Sequence, residues 1–185
     1  MIKNQSVISI SGDKLIGNLV ESKKTIIGDM KGIFQDEEAR EQIPAGTLVY
    51  EVDAYHPVEI NTLGGLFYGI TRLQSGMVGK EYFMTRGHFH ALSDRAEFYW
   101  GIYGEGVLIL MSRDRQVRTE KMESGSLHYI PADTAHRVVN TGSDTLSFGA
   151  CWPSDAGYDY LEIEKHGFAA NLINNAGIPI LVPKR

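Results

Sequence analysis

The stretch Gly87-His88-Phe89-His90 is followed by Glu97 after six intervening residues and by Gly104 after six more, and Gly125, Pro131, His136 and Asn140 form a second block downstream. These are side chains that bind transition metals. In a strand alternate side chains share a face, so His88 and His90 project together while Phe89 turns away into packing. A hairpin-sized return carries Glu97 onto the neighbouring strand, and a strand beginning near His136 supplies a fourth ligand from across a barrel. Three neutral imidazoles and one carboxylate suit a divalent first-row metal such as Fe, Mn, Ni or Zn. An octahedral arrangement leaves two positions open, which points to chemistry more than to a structural role. A His-x-His pair alone is more often a strand coincidence, with one ring exposed and the other hydrogen-bonded in a core. Glu97, the glycines at the matching turns and the second block give the set its weight. His56 before Pro57, His128 in mid-strand and His166 at the end of a helix-like stretch, where the dipole favours it, have structural readings.

Strands must hold these ligands. From Thr47 onward the chain runs in segments rich in Val, Ile, Tyr, Phe and Thr, broken at short intervals by Gly, Asn, Asp and Ser, the pattern of an all-β sandwich or barrel. The expected strands are 47–52, 66–73, 81–86, 96–103, 106–111, 116–122, 126–130, 136–140 and 145–152. Their connections, among them Gly104-Glu105, Arg113-Asp114 and Ser124-Gly125, are hairpin-short. A short helix is expected within Thr25 to Arg40, where Asp36-Glu37-Glu38 reads as its solvated face. The tail begins with helical spacing after Tyr160 and ends extended, since Pro179 and Pro183 oppose further helix. No repeat or linker divides the chain, so residues 1–185 are read as one domain: an N-terminal extension (1–60), a barrel core (61–155) and a C-terminal segment (156–185).

The 185 residues carry 18 Lys and Arg against 23 Asp and Glu, a formal charge of −5. Without a basic block the balance argues against nucleic acid or an anionic membrane as partner, and any anionic ligand must be met by local charge. No apolar run approaches the ~18 residues of a membrane span, and the N-terminus lacks the pattern of a secretory signal; the expected location is cytoplasmic. Asn4-Gln5-Ser6 is then a chance match to a glycosylation acceptor. Cys151, the single cysteine, is expected to be buried and inert. Gly101-Ile102-Tyr103-Gly104-Glu105-Gly106 lies between strands with no following helix, so it reads as hairpin glycines and not as a dinucleotide loop. Arg72, Arg86 and Lys80 read as solvated strand residues.

Both metal-ligand blocks resemble the cupin motifs, with a longer gap between His90 and Glu97 than is usual and with Asp133 where Gly is common. The longer gap is itself a feature of one subgroup. The segments DMKGIF (29–34), VYEV (49–52), GGLFYGITRL (64–73), VGKEYFMTRGHFHA (78–91), DRAEFYWGIYGEG (94–106), IPADTAHRVVNTG (130–142) and WPSDAGYDY (152–160) are similar to the cupin-type glucose-6-phosphate isomerases of archaea and some bacteria.

The resemblance implies a double-stranded β-helix (jelly-roll barrel) with short flanking helices, a cytoplasmic homodimer, and an enzyme of glycolysis and gluconeogenesis that interconverts glucose 6-phosphate and fructose 6-phosphate. It implies one divalent metal per chain, iron first, on His88, His90, Glu97 and His136, and substrate contacts, chiefly to phosphate, from Thr71, Thr85 and Gly87, with Tyr99, Trp152 and Tyr160 on the barrel wall. For Tyr99 a plain core aromatic is the competing reading. Strict alternation places Thr85 opposite His88, so a bulge is expected at Arg86 or Gly87. Glu97 is the candidate base for the enediol route, provided that one of its oxygens is not engaged with the metal; a hydride shift is the alternative. Trp152 and Tyr158 depart from the family pattern, in which those positions are usually Tyr and His, and Trp is a donor only. Two further readings keep the fold: another metal-dependent cupin enzyme such as a dioxygenase, or a sugar-phosphate-binding module without turnover.

Overall fold

Runs of β-branched and aromatic residues pair wherever turn chemistry brings them back on themselves, and the register of that pairing decides which side chains meet. The computed structural model describes residues 8–184; Asn4-Gln5-Ser6 and Arg185 of the extended tail lie outside them. The N-terminal part holds β1 (Ser9–Ser11), β2 (Lys14–Ile16), β3 (Val20–Ile26), the helix α1 (Glu37–Glu41) and β4 (Leu48–Tyr55). The central part holds β5 (Leu66–Leu73), β6 (Met77–Val78), β7 (Glu81–Tyr82), β8 (Glu97–Tyr103), β9 (Glu105–Ser112), β10 (Val117–Glu123), β11 (Leu127–Ile130), β12 (Thr134–Asn140) and β13 (Leu146–Pro153). The helix α2 (Leu161–His166) and strands β14 (Ala170–Asn175) and β15 (Ile178–Pro183) complete it.

The expected all-β architecture is present, with three local corrections. The helix expected within 25–40 is split: Thr25 and Ile26 finish β3, a 3-10 turn covers Ile27–Met30, and α1 starts only after Asp36, whose side chain accepts from the Ala39 N–H. Gly32, at φ +78°, lies between the two pieces. The helical spacing after Tyr160 yields only α2, which stops where Gly167 takes φ +62°, and the chain then continues as strand. The strand expected over 81–86 is regular only at Glu81–Tyr82.

One sheet has the order β11-β8-β13-β5-β4-β3. Directly opposed residues of antiparallel strands share a face, so its concave side can be read in rungs. One runs Lys23–Val52–Thr71–Phe148–Gly101, and the next Glu21–Ala54–Gly69–Ala150–Tyr99–His128. The facing sheet is built from β10-β9-β12 and continues through isolated bridges from Val139 to Met84 and from His136 to His88. Between these bridges four steps of chain, Met84 to His88, oppose three, Val139 to His136. One residue is extra, so the strand is bulged there, as the alternation argument requires. Gly87 sits in the bulge at φ +74°, and a Cβ on it would stand 2.6 Å from the Phe168 ring and 3.0 Å from the His136 carbonyl oxygen. Only glycine meets both conditions. Between the sheets lies a core of Leu108, Leu110, Val138, Phe148 and neighbouring apolar residues, and Met84 and Phe89, of the opposite parity, are buried on the other face of the second sheet.

On the convex side Arg72 is buried, which corrects its reading as a solvated residue. It donates to Asp53 at 2.6 and 3.1 Å and pairs with Glu51 at 3.1 Å. The β1–β2 hairpin closes over this pair: the Leu15 N–H donates to Asp53, Arg72 donates to the Asp13 carbonyl, and Ser147 donates to the Asp13 carboxylate. Burial pushes the Asp53 carboxyl up, but the bonds from Arg72, Ser22 and Leu15 and the charge of Arg72 outweigh it and hold the carboxyl below its usual value. Asp53 therefore adds stability above its unfolded pKa and loses it as the pH falls through the lower, folded one. Asp53→Asn should cost about 3 kcal/mol of unfolding free energy at neutral pH. Denaturant titrations should show the gap from wild type narrowing below about pH 4, and a gap independent of pH would contradict this account.

Candidate metal centre and its pocket

Pairing of His88 with His136 across the seam between the sheets puts two imidazoles face to edge, with ring centroids 4.4 Å apart. His90, two residues on, presents the same face, and β8 starts at Glu97 on the other sheet. One ligand atom from each of His88, His90, Glu97 and His136 lies within 4.8 Å of the other three. Two donors on one ion at about 2.1 Å stand no more than about 4.2 Å apart, so the span is close to that of a ligated set. Phe89 points away and is buried, with the Arg113 guanidinium 3.8 Å from its ring centroid.

The wiring of the imidazoles fits a metal. Nδ1 of His90 faces the Arg95 carbonyl at 2.9 Å and Nδ1 of His136 the Thr134 carbonyl at 3.2 Å; each can only donate there, which leaves Nε2 as the ligand atom. Nε2 of His88 and of His136 are buried without a hydrogen-bond partner, a costly state that an ion at the centre removes. Burial lowers His88 strongly, helped by His136 and His90, and burial lowers His136 despite the charge of Glu97. Both are therefore neutral, the form that ligates. For His90 burial also pulls down, but the hydrogen bond its Nε2 donates to Glu97 at 2.8 Å, the Glu97 charge and the Arg95 carbonyl carry the net shift upward. A cation would take the place of the proton held between His90 and Glu97. Both close contacts of Glu97, to His90 at 2.8 Å and His136 at 3.4 Å, are made by Oε2.

Above the cluster opens a cavity of about 770 Å³. His88, Glu97 and His136 reach its wall, while His90 lies behind them. Thr71, Thr85, Gly87, Tyr99, Trp152 and Tyr160 all line it, so the residues picked out from the sequence share one space. The bulge lets Thr85 and His88 face the same cavity. Thr85 Oγ1 accepts from the Val138 N–H at 3.1 Å, leaving its own proton free to donate. Tyr99 meets the His136 ring edge-on and is raised well above the usual phenol value by burial, with the Glu97 charge adding to it. Tyr158 stacks on Tyr160, and both rings contact His88. Burial raises both phenols above the usual value. All three hydroxyls are thus protonated donors at neutral pH.

Other residues of the wall escaped the sequence reading, notably Lys23, Tyr50, Val52, His56 and Phe148. Val20–Ile26 contains the polar run ESKKT, with no apolar alternation to mark it as a strand; only its pairing with β4 reveals which side faces inward. Tyr50, Val52 and Phe148 lay in expected strands, and their parity with Thr71 was the available signal. His128 is buried between Glu120 and Ser126, each at 2.8 Å, in agreement with its structural reading. Cys151 faces the convex side and is half-buried, a correction to its expected full burial; partial burial still raises its thiol, as does Glu97. His136→Ala should leave the barrel folded but lower bound divalent metal severalfold by elemental analysis, and a full complement in that variant would remove His136 from the ligand set.

A family model described as glucose-6-phosphate isomerase (GPI) matches residues 23–180. The glucose-6-phosphate isomerase of Thermococcus onnurineus is 40% identical over 173 residues, 92% of this chain and 90% of that protein. That of Pyrococcus horikoshii is 42% identical over 164 residues, 86% of each. A structure of Bacillus subtilis oxalate decarboxylase aligns with a TM-score of 0.47 at 22% identity, over 64% of this chain and 29% of that one; at such a distance it says nothing about the reaction. The family match runs through the strands on both sides of the cavity as well as the ligand cluster, and the chain belongs to the glucose-6-phosphate isomerase family.

Proposed function

We propose that this chain is a metal-dependent aldose-ketose isomerase that interconverts glucose 6-phosphate and fructose 6-phosphate in the cavity between the two sheets. The observation that carries the reading is the His88, His90, Glu97 and His136 cluster at the wall of a cavity lined by hydroxyl donors. Thr71, Thr85 and the Gly87 backbone bind the phosphate, and Tyr99, Trp152 and Tyr160 orient the sugar. A divalent metal held by the four ligands, iron first among Fe, Mn, Ni and Zn, supplies Lewis-acid polarisation of the substrate oxygens when bound.

The remaining work falls to the chain. Isomerisation takes a proton from one of two adjacent carbons and returns it to the other, with negative charge developing on the O1/O2 pair. Glu97 commits Oε2 to the ligand cluster, which leaves Oε1 as the oxygen that takes and returns this proton. The protonated phenols of Tyr99 and Tyr160 donate to the oxygens where charge grows. Glu97→Gln keeps the shape of the side chain but cannot hold the proton, so turnover in a coupled assay with fructose 6-phosphate should fall by at least about a thousandfold. In D2O the proton route should place solvent deuterium at the carbon that receives the proton. Wild-type turnover by Glu97→Gln, or full retention of substrate hydrogen during conversion, would take Glu97 out of the role of base.

The same reading makes the molecule a homodimer and places it in the cytoplasm, where the charge of a sugar phosphate keeps it. The convex face of the large sheet supports the dimer. Leu66, Phe98, Leu127 and Tyr129 are exposed there, beside the Tyr68–Trp100 and Phe98–Tyr129 ring pairs, an apolar patch that calls for cover. Phe98→Lys should halve the mass measured by light scattering; an unchanged mass would move the interface elsewhere.

A further inference from the structure

We propose that Lys23, on the outermost strand of the large sheet, is the cation that receives the substrate's phosphate and sets the preference for phosphorylated over free sugars. The proposal rests on the isomerase reading above. Thr71, Thr85 and Gly87 offer a phosphate hydroxyl and amide dipoles but no charge, whereas a phosphate monoester carries close to two negative charges at neutral pH. Some cation at the cavity must answer it, because the chain as a whole is acidic.

Three cations border the cavity: Lys23, Lys24 and Arg86. Two are already committed. Lys24 lies 4.0 Å from Glu51, which itself pairs with Arg72 on the convex side. Arg86 pairs with Glu164 at 3.0 Å and lies over the Tyr160 ring. Lys23 makes no ion pair among the described residues. Register places it on the concave face, opposite Val52, which in turn is opposite Thr71. Two strand spacings separate Lys23 from Thr71, roughly 10 Å between Cα atoms, so a phosphate lodged against Thr71 falls within reach of the four-carbon stem. The nearby acids do not compete for it. Glu21 is highly exposed and faces His56, while Asp29 accepts from the Ile26 N–H. An exposed lysine at a cavity mouth also keeps its charge hydrated until the ligand arrives, which avoids the cost of a buried unpaired cation.

Lys23→Ala should weaken calorimetric binding of both fructose 6-phosphate and inorganic phosphate about tenfold. It should raise KM for fructose 6-phosphate by a similar factor and leave kcat within about twofold, because the reacting carbons lie at the metal end. Lys23→Arg should recover most of the affinity, and Lys24→Ala, which removes the charge on the convex side, should change neither quantity. Unchanged phosphate binding in Lys23→Ala, or a fall in kcat without a rise in KM, would overturn the assignment. Should the wild-type protein fail to convert fructose 6-phosphate, the isomerase reading fails on its own, and the inorganic phosphate titration still decides whether Lys23 is the anion-binding cation.

Discussion

The backbone bonding between His88 and His136, N–H to carbonyl in both directions at 3.4 and 3.1 Å, is the constraint on which the site depends. It ties the segment bearing His88 and His90 to β12 and so joins the two halves of the second sheet at the place where the candidate ligands gather. Because the two histidines are opposed across that pair, their rings meet without help from any loop. His90 follows by alternation, and Glu97 follows because β8 begins where the hairpin returns to the other sheet. A site built from paired strands holds its ligands more tightly than one built on loops.

Gly87 is where this arrangement meets the substrate side. Unbroken alternation would turn Thr85 out of the cavity that His88 faces. The extra residue resets the phase, and glycine alone allows the left-handed backbone and the approach of Phe168 and the His136 carbonyl. The bulge thus lets one short segment carry a hydroxyl, a backbone amide and two imidazoles into a common space.

Much of this was legible in the sequence because it depends on local chemistry. The period of two placed His88, His90 and Phe89 correctly, β5 begins and ends where its apolar run does, and the phase conflict between Thr85 and His88 was enough to require the bulge. What stayed hidden depends on partners distant in the chain. The strand Val20–Ile26 is mostly polar and exposed, so nothing in its own pattern distinguishes it from a loop; it is a strand because β4 offers an edge. Arg72 looked solvated because its partners, Asp53 and the Asp13 backbone, reach it only after β4 and the N-terminal hairpin have folded over it. The helix expected within 25–40 was drawn from spacing that Gly28 and Gly32 interrupt, and the chain used those positions to turn.

Trp152 and Tyr158, where the sequence departs from the pattern it resembles, both line the cavity. Trp152 lies against Gly69, where an added Cβ would come 3.1 Å from the indole, and meets Phe67 edge-on. Its ring therefore fills the space that a larger residue at 69 would take, and it offers the cavity an apolar face and one N–H donor. A tyrosine there would bring a hydroxyl able to accept as well as donate. Tyr158 supplies a hydroxyl from the other side, half-exposed and stacked on Tyr160 beside His88. Its phenol is raised further above neutrality, so this hydroxyl stays protonated and can donate. Neither residue takes up a proton at neutral pH as an imidazole at 158 would. Under the isomerase reading, proton uptake beside the ligand cluster then falls to Glu97, and opening of the sugar ring is left to donation from phenols, to His56 on the same wall or to solvent entering past Tyr158.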